Sequence, residues 1–399
     1  MTKQYILKNK DREVLWFETA EKSERLDNLS THFTYIANVK IINNNLLPYD
    51  FVRQENNSLK DNLKEWINKR KVPKNRAFVN NILSTLEMNE QNNLMAYIDI
   101  SLGLSLNDSY WIIPAHQKYL WKDYNLYENS FNETLALVAF TGYSTKISGI
   151  TTSPEYTTNG MLKKCWHKNK QTGKIELIKG QTQEYANRGK EAYCEYYMAQ
   201  IAAVLGFNHI QYDLREFHNE IVSTCEIFTN QQVGYMPIHY CMDKNIDADN
   251  TVLLLTEIMK IYGKESLQDL LLFDALIYNT DRHLGNFGML IDNDTNQLIK
   301  PAPIFDNGLS FINLITQDEL NNIEHALIKN NYNHSALKIS FDEQIKFAGQ
   351  KRHIPLLQKL ADFTFIRHPQ YNLPENWLVA AEQFIQQRSQ TIIEMIEHK

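Results

Sequence analysis

Hydrophobic positions recur along this chain in two rhythms, and the change from one to the other divides it. In the first stretch, to about residue 60, short β-like runs such as YILK and HFTYIANVKII alternate with polar connections, the pattern of half-buried strands. Residues 58–87 read as two helices broken at Val72-Pro73, because a proline disfavours helical backbone in the residue before it. Leu59, Leu63, Trp66 and Ile67 make an apolar stripe at helical spacing on the first of them. DISLGLSLNDSYWIIP, near 100–115, is turn-rich and runs into an aromatic strand, and residues 132–140 are a predicted helix.

After Gly142 the texture becomes rich in Ser, Thr and Gly, and then MLKKCWHK and KIELIKG are predicted to pair as a hairpin across residues 169–173. A long helix over about 184–204 ends at Gly206, since glycine accepts the left-handed backbone that closes helices. Strands follow at HIQYDLREF and EIVSTCEIFT. From about residue 250 helices dominate: NTVLLLTEIMKIYG has an apolar stripe, and ESLQDLLLFDALIY is apolar enough to be central. A hairpin comes next, and at least four amphipathic helices run to Lys399. Strands first and helices last define an α+β chain, not an alternating βαβ one. No internal repeat at a fixed period is present.

At 399 residues the chain exceeds one ordinary core, so two or three domains are expected. A hydrophobic content of 43% with 11% aromatics is ample for packed cores. The net charge of −6 offers no whole-chain attraction for nucleic acid or an anionic membrane. MTKQYILKNKDREV lacks the apolar centre of a signal peptide, and no stretch approaches the ~18–20 apolar residues of a membrane span. A cytoplasmic location is therefore expected, with secretion without a signal peptide as the alternative. Cys165, Cys194, Cys225 and Cys241 show neither CxxC pairing nor zinc spacing, which predicts reduced and mostly buried thiols. No histidine pair has a nearby third ligand, so a histidine-held metal is not expected. Lys64, Lys69, Arg70, Lys71, Lys74 and Arg76 could touch phosphates, and a solvated helix face is the simpler reading.

The candidate chemistry lies in IYNTDRHLGNFGMLIDNDTNQLIKPAPIFDNGLSF, residues 277–311. Phosphoryl transfer needs a carboxylate to orient the incoming hydroxyl and hard oxygen ligands to hold magnesium. Asp281 and, five residues later, Asn286 would supply the first carboxylate and one ligand, and Asp306, returned by the hairpin, the second ligand. The strands FGMLI and APIF would hold the two arms together, and Asn307-Gly308 would allow the sharp turn that points Asp306 inward. A lone DxxxxN or DNG is a common loop or turn; their combination after an apolar helix is what carries the reading. Arg282 is compatible with holding a phosphate or with pairing a carboxylate, and His283 with a general base or a structural or nucleotide-facing group.

These motifs resemble the HipA-like family of bacterial protein kinases, whose catalytic loop N-x-D-x-H-x-x-N reads here as Asn279-Thr280-Asp281-Arg282-His283-Leu284-Gly285-Asn286. The resemblance covers roughly residues 140–390 and implies a two-lobed kinase-like α+β fold: accessory domain 1–135, β-rich N-lobe 136–232, helical C-lobe 233–399. It implies ATP and Mg2+ as cofactors, Asp281 as catalytic base, and Asn286 and Asp306 as metal ligands. Lys179 would contact the phosphates and be fixed by Glu195, with Glu191 the rival, while Glu226 and Phe228 would bind adenine through their backbones at a hinge. His283 would face the nucleotide. Ser153, Thr157 and Thr158 fall in SGITTSPEYTTNG, which resembles the family's phosphate-covering loop, and Ser148, Ser153 or a neighbouring threonine there would be autophosphorylated. The implied partners are a protein with a target Ser or Thr and a separate antitoxin or inhibitor chain; no direct nucleic-acid binding is expected. DRHLGN also fits the phosphoinositide-type lipid kinases, although Asp-Asn-Gly replaces their Asp-Phe-Gly. A non-catalytic nucleotide-binding partner is the other alternative, and the presence of Asp281, Asn286 and Asp306 weighs against it.

Overall fold

The computed structural model describes every residue except 1, 27, 28, 53–57, 86–92, 144, 146, 148, 149, 183–188, 244 and 248. Ser148 therefore lies outside the described residues. The chain opens with strands β1 (Thr2–Asn9), β2 (Arg12–Leu26) and β3 (Leu29–Ile41), followed by helices α1 (Leu59–Lys69), α2 (Val79–Ser84) and α3 (Ala96–Ser101). Strand β4 (Tyr110–Pro114) and helix α4 (Glu133–Thr141) precede β5 (Lys164–Lys168), β6 (Ile175–Lys179) and α5 (Glu191–Leu205). Then come β7 (Asp213–Phe217), β8 (Glu220–Glu226), β9 (Val233–Pro237), α6 (Thr251–Tyr262) and α7 (Lys264–Ile277). The chain closes with β10 (Gly288–Asp292), β11 (Leu298–Pro301), α8 (Ile323–Lys329), α9 (Phe341–Ala348) and α10 (Glu375–Glu397), with short turns of helix between them. The class is α+β, as the segregation of strands and helices predicts.

The contacts gather into two compact units, one of residues 1–177, 229–236 and 290–299, the other of 178–228, 237–289 and 300–399. In the first unit β1, β2, β3 and β4 form an antiparallel sheet of order β3-β2-β1-β4, with Tyr5 opposite Phe17 and Leu7 opposite Ile112. Its apolar face buries Tyr5, Leu7, Leu15 and Phe17 against Leu63, Trp66 and Ile67 of α1, the stripe legible in the sequence. Strand β2 was not: EVLWFETAEKSERL carries too many charges to read as one alternating run.

The basic set is only in part a solvated face. Lys64 and Lys74 are exposed, but Lys69 pairs with Asp50 at 2.8 Å and Arg70 lies over Trp66 while pairing with Asp108. Arg76 is buried and donates to the carbonyls of Glu155 and Thr158 (3.0 Å each) and Lys164 (2.8 Å). β5 and β6 close through the turn at Asn169, where Gly173 takes φ 71°.

In the second unit α5 ends on Gly206 at φ 75°. The antiparallel pair β7–β8 turns at His218-Asn219, both at positive φ, the backbone of a tight hairpin turn. Helix α7 is the centre: Leu267, Leu270, Leu271, Phe273 and Leu276 are buried. α10 packs Phe384 against Tyr278 and Phe311. Among the described residues no helix is long and apolar enough to cross a membrane. All four cysteines are free, and Cys165, Cys194 and Cys241 are buried.

Candidate active site

Lys179, Glu195, Asp281, Asn286 and Asp306 all lie within the second unit. Helix α7 ends on Tyr278, a residue in left-handed backbone (φ 50°) whose hydroxyl donates to Glu324 at 3.0 Å. The chain then turns sharply. Asn279 donates its side-chain nitrogen to Asp274 Oδ1 (3.1 Å) and accepts the Asp281 N–H on its own oxygen (3.2 Å). Asn286 donates Nδ2 to the Asp281 carbonyl at 3.0 Å, which ties the two ends of the loop together. His283 is exposed, and its Nδ1 accepts the Gly285 N–H at 3.0 Å, so one ring nitrogen braces the loop.

Arg282 resolves the choice left open above. It is fully buried and grips the equally buried Asp274 through Nε (3.0 Å) and Nη2 (3.1 Å). Its remaining donors reach the carbonyls of Asn286 (2.9 Å) and Phe305 and the side-chain oxygen of Asn307 (2.8 Å). One guanidinium thus ties the Asp281 loop to the Asp306 loop. Burial works against its charge, but Asp274 outweighs burial and holds Arg282 above its ordinary value. Burial lifts the Asp274 carboxyl, against the pull of Arg282 and Asn279, and the two-point contact is the strong, geometrically specific kind.

The strand lysine and the helix carboxylate meet as expected. Lys179 Nζ lies 2.8 Å from Glu195 Oε1 and also bonds Asp306. Burial opposes its charge, yet Asp306 and Glu195 outweigh burial and keep the ammonium protonated. The second oxygen of Glu195 accepts the Asn307 N–H at 2.9 Å. Glu195, not Glu191, is the partner; Glu191 instead bonds Thr182.

The residue that takes left-handed backbone in the Asp-Asn-Gly turn is Asp306 itself, at φ 60°, and its N–H donates to the Tyr212 hydroxyl at 3.2 Å. Gly308 serves a different end from the turn expected of it: an added Cβ would stand 3.3 Å from Glu191 Cβ and 3.5 Å from Glu195 Oε1. APIF is not a strand either, since β11 stops at Pro301 and Ile304 makes only an isolated bridge to His209.

Asp281 is partly buried, and burial, then the nearby charge of Asp306, raises its pKa, while His283 and Lys179 pull it down. Asp281, Asn286 and Asp306 present oxygen donors only, and Asn286 has committed its nitrogen to Asp281, so its carbonyl oxygen is the end left for a cation. That donor set fits magnesium, which takes one or two protein oxygens and completes its shell with phosphates and water. Among the described residues no group of three or more His, Cys, Asp or Glu side chains converges to hold a metal.

Glu226 is exposed at the end of β8, and the Phe228 ring lies 5.6 Å from that of Phe305, the residue before Asp306. Ser153, Thr157 and Thr158 belong to the first unit. Ser153 is buried and bonds Glu155, while Thr157 donates to the Leu104 carbonyl (2.9 Å) and Thr158 to that of Pro154 (2.6 Å). Sequence reasoning missed Asp274 and Tyr212. A lone Asp inside LLLFDALIY was the available signal for the first; Tyr212 offered none.

No family model matches the chain. It is 27% identical over 176 residues to the serine/threonine-protein kinase CtkA of Helicobacter pylori strain J99, an alignment covering 39% of this chain and 53% of that protein. The chain thus spans about half the length of the curated relative it matches. Among solved structures, it is similar to the H. pylori proinflammatory kinase CtkA, with a TM-score of 0.49, 20% identity, and coverage of 60% of this chain and 92% of that one. It is also similar to Shewanella oneidensis HipA, solved with HipB and operator DNA, with a TM-score of 0.45, 11% identity, and coverage of 99% and 97%.

Proposed function

We propose, for a chain related to the HipA-like kinases, ATP- and magnesium-dependent phosphoryl transfer to a serine or threonine hydroxyl of a protein. The observation that carries the reading is the clasp of Lys179 between Glu195 and Asp306 in the unit that also holds Asp281 and Asn286. A largely buried ammonium held between two carboxylates is a pre-positioned donor, suited to phosphate oxygens. Asp281, with its raised pKa, is a carboxylate able to accept a hydroxyl proton. In the proposed step the substrate oxygen bonds to the γ-phosphorus as the bond from phosphorus to the bridging oxygen breaks. ADP leaves, and the hydroxyl proton passes to Asp281. Magnesium held by Asn286 and Asp306 would neutralise phosphate charge. Glu226 and Phe228 would bind adenine through their backbones, and His283 would brace the loop beside the nucleotide.

The wider proposal keeps the partition 1–135, 136–232 and 233–399 as accessory domain, N-lobe and C-lobe. Its partners are a protein substrate and a separate antitoxin or inhibitor chain, in a toxin, stress or host-interaction setting and a cytoplasmic location. Ser153, Thr157 and Thr158 would belong to a phosphate-covering loop, and autophosphorylation at Ser153 would require it to leave Glu155. The test is intact mass after incubation with ATP and magnesium chloride, wild type beside Asp281→Asn. The wild type should gain phosphate, and the variant should be slower by about 10²–10⁴-fold, the usual contribution of a positioned base. Equal rates in the two would overturn the assignment of Asp281.

A further inference from the structure

Glu195 can hold Lys179 only if α5 keeps its place, and the outer side of that helix is gripped by a segment far along the chain. We infer that residues 365–372 form a strap that positions Glu195, with Gln200 as the residue through which it acts; this rests on the kinase reading. Gln200 engages both backbone groups of one strap residue. Its Oε1 accepts the Ile366 N–H at 2.8 Å, and its Nε2 donates to the Ile366 carbonyl at 3.1 Å. One turn earlier, the Tyr197 hydroxyl donates to Asn372 Oδ1 at 2.8 Å, and the Tyr197 ring lies 4.9 Å from Phe365. Tyr196 meets His368 edge-on at 5.6 Å.

The strap is itself held. Asn372 accepts the His368 N–H at 2.8 Å and donates to the His368 carbonyl at 2.6 Å, which closes the segment into a loop. The Phe365 N–H donates to Glu382 at 2.8 Å, and Arg367 pairs with Glu375 and Glu382. Both glutamates are on α10, so the strap links α10 to α5.

The geometry explains why such a link bears on catalysis. Gln200 lies five residues beyond Glu195, about 140° round the helix, so the strap and Lys179 take opposed sides of α5. The Lys179–Glu195 contact of 2.8 Å has little slack, and a displacement of about 1 Å at a reacting centre is worth on the order of 10²-fold in rate. Gln200 touches no reacting atom. It is a positioning residue, and its effect must run through Glu195.

The experiment is a double-mutant cycle on the full chain. Gln200→Met keeps the side chain's length and removes both bonds to Ile366; Gln200→Glu keeps the acceptor and loses the donor. Both are measured for ATP KM and kcat with magnesium chloride, in the wild type and in Glu195→Gln. Gln200→Met should raise ATP KM about 5-fold in the wild type and by less than about 1.5-fold in Glu195→Gln, because contacts that act through one another are not additive. Gln200→Glu should fall between, and it takes the place of Gln200→Met should that variant fail to fold. Equal changes in both backgrounds, or none in the wild type, would overturn the strap. Hydrogen exchange separates the two readings without ATP: amides of residues 191–205 should exchange about 5-fold faster in Gln200→Met. Unchanged exchange sinks the strap and leaves the kinase reading standing. Faster exchange in a protein that neither binds ATP nor gains phosphate sinks the kinase reading and keeps the strap.

Discussion

At the scale of single residues the site depends on a buried charge pair. Asp274 and Arg282 are both fully buried, and removing one partner from such a pair leaves an uncompensated charge. Asp274→Ala should therefore destabilise the second unit by about 3–5 kcal/mol, read from the urea midpoint. Asp274→Leu with Arg282→Met should recover most of that stability, because an apolar pair removes both buried charges together. It should not recover activity, since Arg282 also ties Asn286, Phe305 and Asn307 together. A double variant as active as the wild type would show that Arg282 is not the link between the loops. Asp281 carries a second prediction. Burial, then Asp306, raises its pKa, so activity should fall in acid with a midpoint above the ~3.9 of an unperturbed aspartate. The folded state holds this proton more tightly than the unfolded one, so this group's contribution to stability declines as pH rises from the ordinary aspartate value through the raised one. At neutral pH Asp281→Asn should be at least as stable as the wild type, and the difference should vanish in acid; a variant less stable at neutral pH would contradict the raised value. Much of this was legible: Asp281, Asn286 and Asp306 stood out by spacing, and so did Lys179 with Glu195 by resemblance. Asp274 did not, because nothing in LLLFDALIY names the partner, eight residues on, that its carboxylate meets.

Among elements, the contact that matters most is α5 against the turn after Phe305. Asp306 takes left-handed backbone, which aspartate tolerates better than most side chains, and this leaves Gly308 free for close approach. Its absent Cβ is what lets the turn lie against Glu191 and Glu195. Gly308→Ala asks neighbours to yield by a few tenths of an ångström and should be mild. Gly308→Val should cost roughly 1–3 kcal/mol, as overpacking does, and should reduce kcat/KM more than Gly308→Ala by moving Glu195 from Lys179. Steady-state kinetics on both variants checks the order, and a fully active Gly308→Val would remove the packing argument. Element placement was mostly legible, since α1 and α6 follow apolar stripes, α7 is a run apolar enough to be central, and α5 stops at a glycine. β2 and the end of β11 were not, because strand propensity is set by neighbours the sequence does not name.

Over the whole molecule the chain visits each compact unit more than once: residues 229–236 and 290–299 return to the first, between stretches of the second. Such interleaving leaves no trace in composition or charge, because the connecting residues are ordinary strands such as β9 and β10. Its physical consequence is that heat or denaturant need not unfold the protein in one step, so ligand effects are best read by calorimetry, where separate transitions can be resolved. The unit holding Lys179, Asp281, Asn286 and Asp306 is the one that ATP with magnesium should stabilise. At a ligand concentration of 100 Kd the gain is about 2.7 kcal/mol, which for a unit of this size raises its transition by roughly 5–10 °C. Asp306→Asn should keep the fold, since asparagine also accepts the left-handed backbone, while losing the carboxylate that pairs with Lys179 and that is proposed to hold the cation. The shift produced by ATP alone and the shift produced by ATP with magnesium should then become nearly equal. If magnesium adds the same increment to the variant as to the wild type, Asp306 is not a metal ligand and the oxygen donors must be sought elsewhere. If neither protein shifts with ATP at any concentration, the clasp of Lys179 is an internal ion pair and nothing more.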